Sequence, residues 1–317
     1  MATRRKPSAL LQHVTSVKSG ERRFENAFQG VARMILEAGV EKVVVNGKTT
    51  YDFPIFRTGG KHTIGMYDEI NSFVSFVKDA SEGGSSKEMA FVLVGEPGNG
   101  KTFFVENLCA QYRQFLSRPE NRKYTFKFVG LDKLGSYGQI REIESQTYED
   151  PMVLAMNLFE GRDESMEFLA KQGKLADKEL ESYYENYRPM GACSGYIWND
   201  IRNYTGGDIN AMLEFVEILP VPLVESLGTV TGKYAAKDKI TSSAVDLLGE
   251  ESIQRLLHIS DTNNPFRFDL RRGALARVAG GGIHFSDEIY KNKKDLVQVY
   301  LGVIQNRVIE MDGPLIR

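Results

Sequence analysis

The sequence predicts an α/β fold: a parallel sheet flanked by helices and interrupted by a large, mainly helical insertion. Three observations carry that expectation. Phe91-Val92-Leu93-Val94 is apolar on both faces, as a central parallel strand covered by helices on both sides should be. A glycine-rich turn and a helical pattern over residues 102–116 follow it, and residues 124–131 read as the next strand, which makes a βαβ unit. Between Asp132 and Gly281 the apolar spacing turns helical and strand signals thin out.

The elements follow in order. Arg4-Arg5-Lys6 lies in a stretch, residues 1–20, that reads as a disordered basic tail, and residues 21–317 read as one domain with its insertion at about 132–281. Phe24, Phe28, Val31, Ala32, Ile35 and Leu36 recur at helical spacing within residues 21–38. Residues 41–45 are β-branched and lead through Asn46-Gly47 into 49–53, a hairpin signature. After the Gly59-Gly60 break, residues 67–80 form an amphipathic helix burying Ile70, Phe73, Val74 and Val77, and Glu82-Gly83-Gly84-Ser85-Ser86 is a connector. In the insertion the helical candidates are 152–159, 164–172, 177–187, 211–218 and 250–258. Ile283 to Glu288 is a short strand ending in two acids, residues 294–305 form a helix, and Val308 to Gly313 opens a hairpin.

Composition narrows the function. The chain has 317 residues, 42% hydrophobic and 26% charged, with a net charge of −2. That is an ordinary globular balance, and so small a charge gives no global field toward nucleic acid or an anionic membrane. The two cysteines, Cys109 and Cys193, form no CxxC pair, which argues against a disulfide framework or zinc knuckle and suits a reducing compartment. No apolar run approaches the ~20 residues that span a bilayer, and no leader-like apolar block opens the chain. The expected location is the cytoplasm.

Gly95-Glu96-Pro97-Gly98-Asn99-Gly100-Lys101-Thr102 matches G-x-x-x-x-G-K-[ST], with an apolar strand before it and a helix after it. Glycines let successive backbone N–H groups turn inward around a polyphosphate, and the helix adds its positive dipole end. Lys101 would reach the β- and γ-phosphates, and the Thr102 hydroxyl would ligate Mg²⁺. These eight residues, with Phe103 next in the helix, are the candidate ATP-binding set. A glycine-rich βα turn without a ligand would read similarly, but the bare pattern arises by chance in only about one chain in fifty of this length.

A P-loop enzyme that turns over also needs a carboxylate near Mg²⁺ and a base for the attacking water. Asp287 and Glu288, at the end of a short strand, supply both roles; acids that merely cap the following helix are the competing account. Glu214-Phe215-Val216-Glu217 is a second acidic site, but its setting reads as a solvated helix face.

Strand plus GEPGNGKT, followed later by GGIHFSDEIYKN, resembles the AAA+ ATPases, in which a strand ending in Asp-Glu is the Walker B motif. From about Arg22 onward the chain also resembles the amino-terminal module of the PrkA family of bacterial serine protein kinases. Phe56-Arg57, Gly65-Met66-Tyr67-Asp68-Glu69-Ile70 and Ser242 to Gly249 carry that likeness. The resemblance implies Mg·ATP binding and hydrolysis that drives conformational change or assembly, a protein substrate or client, and homo-oligomers that share sites. It also implies that Ile64 and Gly65 line the base pocket. Three departures stand out. Only Cys193 remains of the family's cysteine-containing insertion, the kinase-assigned carboxy-terminal region is missing, and the family's Phe-Val-Glu wording recurs at Phe215-Val216-Glu217, upstream of Asp287-Glu288. The sensor residue, arginine finger and complete helical lid of that pattern are not found before Arg317, so a fragment, or a partner-completed module, with weak turnover of its own is expected.

Two other functions remain open: transfer of the ATP γ-phosphoryl group to a protein serine or threonine, and a nucleotide-gated scaffold without turnover. No His-Arg-Asp or Asp-Phe-Gly sequence supports a conventional kinase site. His13 falls in the expected tail, and His62, His258 and His284 are isolated, without metal-ligand spacing. For Arg271-Arg272 a surface or phosphate-contacting role has no more support than a solvated pair, and Trp198 with Tyr196 and Tyr204 could face a partner, with core filling the better reading.

Overall fold

A histidine and two aliphatic side chains near the amino terminus set the first departure from expectation. In the computed structural model, Ser8 caps helix α1 (Ala9–Lys18) by accepting the Leu11 amide at 3.3 Å, and Leu10, His13 and Val14 are buried. Residues 9–18 are therefore not a disordered tail: Leu10 and Val14, one turn apart, dock α1 onto the core. The structure describes residues 8–57, 66–173, 181, 183, 186–224, 229–235, 244–252, 259–261, 264, 269–289 and 294–306.

The next elements match the sequence reading. A reciprocal Asn26–Gln29 capping box starts α2 (Ala27–Glu37), which buries Val31, Met34 and Ile35. Strands β1 (Glu41–Val45) and β2 (Lys48–Asp52) pair antiparallel through Asn46 and Gly47, both at positive φ, the conformation that favours Asn-Gly in a two-residue hairpin. Helix α3 (Tyr67–Ser81) packs on α2, and α4 (Lys101–Ser117) buries Phe104, Leu108, Tyr112, Phe115 and Leu116. Phe56 stacks on Phe104 at 5.0 Å and Phe73 meets Phe104 edge-on, so these helices share one aromatic core.

The sheet does not follow the βαβ expectation. Residues 90–96 form no strand, and Val92 and Val94 are 56% and 82% exposed. Strand β3 (Tyr124–Val129) instead pairs antiparallel with β4 (Glu142–Glu144) on one side and β5 (Val216–Pro220) on the other. Among the described residues, the parallel pairing is confined to β6 (Thr231–Ala235) and β9 (Ile283–Asp287), with Ala235 beside Asp287. Strands β7 (Gly249–Ser252) and β8 (Asp269–Arg272) form a separate antiparallel pair. The chain is thus a mixed helix and strand protein with several small sheets. An apolar run shows that a segment can be buried on both faces, but which partner it meets depends on distant residues.

The insertion contains both kinds of element. Its helices are α5 (Pro151–Ala155), α6 (Arg162–Gly173), α7 (Ala192–Thr205), α8 (Ile209–Leu213) and α9 (Ala244–Leu248), set among β4 to β8. The helix expected at 211–218 ends at Leu213, and Val216 to Pro220 become β5, which places Glu217 on a strand 3.2 Å from the Lys127 ammonium. The expected 250–258 helix is strand over 249–252, and 253–258 lie outside the described residues. So do most of 177–187 and all of the 308–313 hairpin. Helix α10 (Lys294–Asn306) agrees with the sequence reading. Trp198 is buried as core filling, stacked near Phe128, and its indole N–H donates to the Leu158 carbonyl.

Candidate functional site

Gly98 and Gly100 hold φ values of 87° and 74°, left-handed backbone that an L side chain resists. At Gly98 an added Cβ would meet nothing within 4 Å, so the restriction there is conformational and not steric. Gly100 turns the chain directly into α4 and offers no side chain to cap it. The first-turn amides of α4 therefore face outward from a helix amino end, the arrangement that attracts anions. Lys101 folds back over this turn, its ammonium donating to the Gly95 and Glu96 carbonyls at 2.7 Å each.

Helix α4 runs antiparallel across β6 and β9, and three contacts fix its register. The Tyr112 hydroxyl donates to the Gly281 carbonyl at 3.3 Å, Arg113 donates to the Thr231 hydroxyl at 2.6 Å, and Lys233 meets Glu106 at 3.1 Å. Moving toward the amino end of α4 thus means moving toward the carboxyl ends of both strands. Thr102 precedes Glu106 by one helical turn, and Asp287, 4.0 Å from Lys233, ends β9. Gly95, Pro97, Gly98, Asn99, Gly100, Lys101, Thr102, Phe103, Asp287 and Glu288 all line one cavity of about 2370 Å³. Glu96 is not part of that wall, and Ile64 and Gly65 lie outside the described residues.

Glu288 adopts φ 52°, an uncommon left-handed conformation for a glutamate. Strand β9 ends at Asp287, directly before this left-handed residue. Hard oxygen donors at Thr102 and Asp287 suit Mg²⁺, which is commonly held by one or two protein groups with substrate phosphates and water. Among the described residues no group of three or more His, Cys, Asp or Glu forms a protein-only cage.

The back of the cavity holds charges that the sequence reading missed. The buried Lys123 ammonium donates to the Glu25 carbonyl at 3.0 Å, and burial pushes its pKa down. Asp150 accepts the Met152 amide at the head of α5, while burial pushes its carboxyl up to about 6. Glu149 accepts the Gly191 amide at 2.7 Å at the head of α7, together with the Ser145 and Ser194 hydroxyls. Consecutive acids thus cap two different helices. Asp150-Pro151 was a readable helix start, but its place on the cavity was not, because that depends on residues brought from elsewhere.

Other candidates resolve differently from expectation. Arg272 is no solvated side chain: it donates to the Ser145 carbonyl, the Gln146 carbonyl and the Tyr148 hydroxyl, with its guanidinium 4.1 Å from the Tyr148 ring centre. His13 is buried, and its Nδ1 accepts from Arg22 at 2.7 Å. Cys109 is half-buried, its thiol pushed up to about 11 by burial, while Cys193 is buried in the core. No described helix is long and apolar enough to cross a membrane. Comparison with protein-family models, curated proteins and solved structures yields no match.

Proposed function

We propose that this chain binds and hydrolyses Mg·ATP at a P-loop site of the AAA+ type, as a module similar to the amino-terminal part of PrkA-like serine protein kinases. One observation carries the reading. The left-handed glycine turn into an uncapped α4 lines the same cavity as the Asp287–Glu288 end of β9.

The chemistry follows from these groups. Backbone amides at the head of α4 would hold the phosphates, and the Lys101 ammonium would exchange two neutral carbonyl partners for charged oxygens, a stronger pairing. Thr102 and Asp287 would hold Mg²⁺, which when bound neutralises charge on the phosphates. Glu288 would orient water and take its proton as that water attacks the γ-phosphorus, while the bond from that phosphorus to the β–γ bridging oxygen breaks and ADP leaves. Phe91 to Val94 form no strand but line the same cavity as β9, where they would extend a P-loop sheet of which β6 and β9 are the paired part.

Calorimetric titration and a phosphate-release assay test the reading together. Lys101→Ala is expected to abolish ATP binding. Glu288→Gln should bind ATP as tightly as the parent while hydrolysis falls on the order of 100-fold, the contribution of a positioned base. Unchanged hydrolysis in Glu288→Gln would remove that residue from its role, and unchanged binding in Lys101→Ala would remove the site.

A further inference from the structure

Strand β9 has polar residues on the face turned away from α4. Alternation along the strand puts Ile283, Phe285 and Asp287 on one side and His284 and Ser286 on the other. A strand covered on both faces ordinarily reads apolar throughout. Tyr234 of β6, the register partner of Ser286, adds a hydroxyl to the same face. Helix α10 covers it with Tyr300, whose hydroxyl lies 3.1 Å from His284 Nε2 while the rings sit 5.5 Å apart. Among the described residues, His284 Nδ1 and Tyr234 OH are buried without a hydrogen-bond partner, and the Ser286 hydroxyl faces that of Tyr300. Buried polar atoms are nearly always satisfied, and sites that break such local rules cluster at functional places.

The position of this face gives it a task. His284 is three residues before Asp287, and Ile289, directly after Glu288, packs into the same cluster as Tyr234, Leu296 and Tyr300. Helix α10 therefore engages the chain on both sides of the acidic pair, by a hydrogen bond at His284 and through the apolar cluster that Ile289 shares with Leu296 and Tyr300. Between these two points stands Glu288 in its left-handed conformation. His284, Ser286 and Tyr300 also line the cavity that holds the glycine loop.

We propose that Tyr300 and His284 are positioning residues for Glu288: their hydrogen bond locks α10 to β9 and sets the direction in which the glutamate leaves the strand. This role rests on the ATPase reading above. The two do not touch the nucleotide, so their removal should change turnover and not affinity.

Tyr300→Phe removes one hydroxyl, and His284→Leu removes the ring nitrogen it meets. Each should lower kcat for ATP about tenfold, a modest misplacement effect, with the ATP dissociation constant within twofold of the parent. His284→Gln, which restores a polar group at similar reach, should recover most of the loss. Adding Tyr300→Phe to Glu288→Gln should cause no further loss, because the hydroxyl acts through the glutamate. If the parent hydrolyses ATP and Tyr300→Phe has an unaltered kcat, the positioning role is wrong and the ATPase reading stands. If the parent binds ATP without hydrolysing it, both fall. A tenfold loss that persists in the Glu288→Gln background assigns the effect to general packing and also overturns the proposal.

Discussion

Asp150 shows how a single residue can serve two environments at once. It caps α5, which favours an acceptor at that position, yet burial raises its carboxyl to about 6 despite the nearby positive charges of Lys123 and Arg188. A carboxyl raised in the folded state keeps a proton that the unfolded chain has already released. Its stabilising contribution is complete below about pH 4 and fades as pH rises through about 6. Asp150→Asn keeps the cap and removes the titration. Relative to the parent, the variant should gain on the order of 1–2 kcal/mol between pH 4 and 7, discounted for partial exposure. Denaturant unfolding of both proteins across that range measures it, and a pH-independent difference would show that the carboxyl does not titrate there. The glycine loop was legible residue by residue, because φ preference is local chemistry. The charges at Lys123 and Asp150 were not, since burial is decided by chain segments that no local pattern names.

At the scale of elements, the signals that succeeded were those contained within one element. Asn46-Gly47 marks the hairpin, and the helices found at 27–37, 67–81, 101–117 and 294–306 follow the apolar spacing read within 21–38, 67–80, 102–116 and 294–305. Signals that needed a partner failed. Tyr124 to Val129 was recognised as a strand, but its antiparallel neighbours come from residues 142–144 and 216–220. Arg4-Arg5-Lys6 suggest a solvated tail and hide α1, whose burial depends on α5, α6 and β5. Leu10 is fully buried, so Leu10→Ala should destabilise the protein by about 2–5 kcal/mol, the cost of a core cavity. Equilibrium unfolding in urea measures this, and a change under about 0.5 kcal/mol, typical of surface positions, would mean that α1 does not belong to the core.

Across the whole molecule, the glycine loop and the acidic pair are joined only by tertiary structure, since Thr102 and Asp287 lie 185 positions apart. Their meeting depends on α4 holding its register on β6 and β9 through Tyr112, Arg113 and Glu106. A ligand that contacts both the loop and the strand end would add its binding free energy to folding. At a concentration a hundred times the dissociation constant this stabilises by about 2.7 kcal/mol. Mg·ATP should therefore raise the melting temperature of the parent and of Glu288→Gln but leave Lys101→Ala unmoved. The same linkage reaches the exposed apolar run at Val92 and Val94. If nucleotide draws the loop against β9, the amides of residues 91–94, which lead directly into the loop, should exchange with solvent more slowly in its presence. Amide exchange followed by mass spectrometry in the parent and in Lys101→Ala reads this out. Equal exchange at 91–94 with and without Mg·ATP, despite a raised melting temperature, would show that the nucleotide is held by the loop without drawing this segment toward the strand pair.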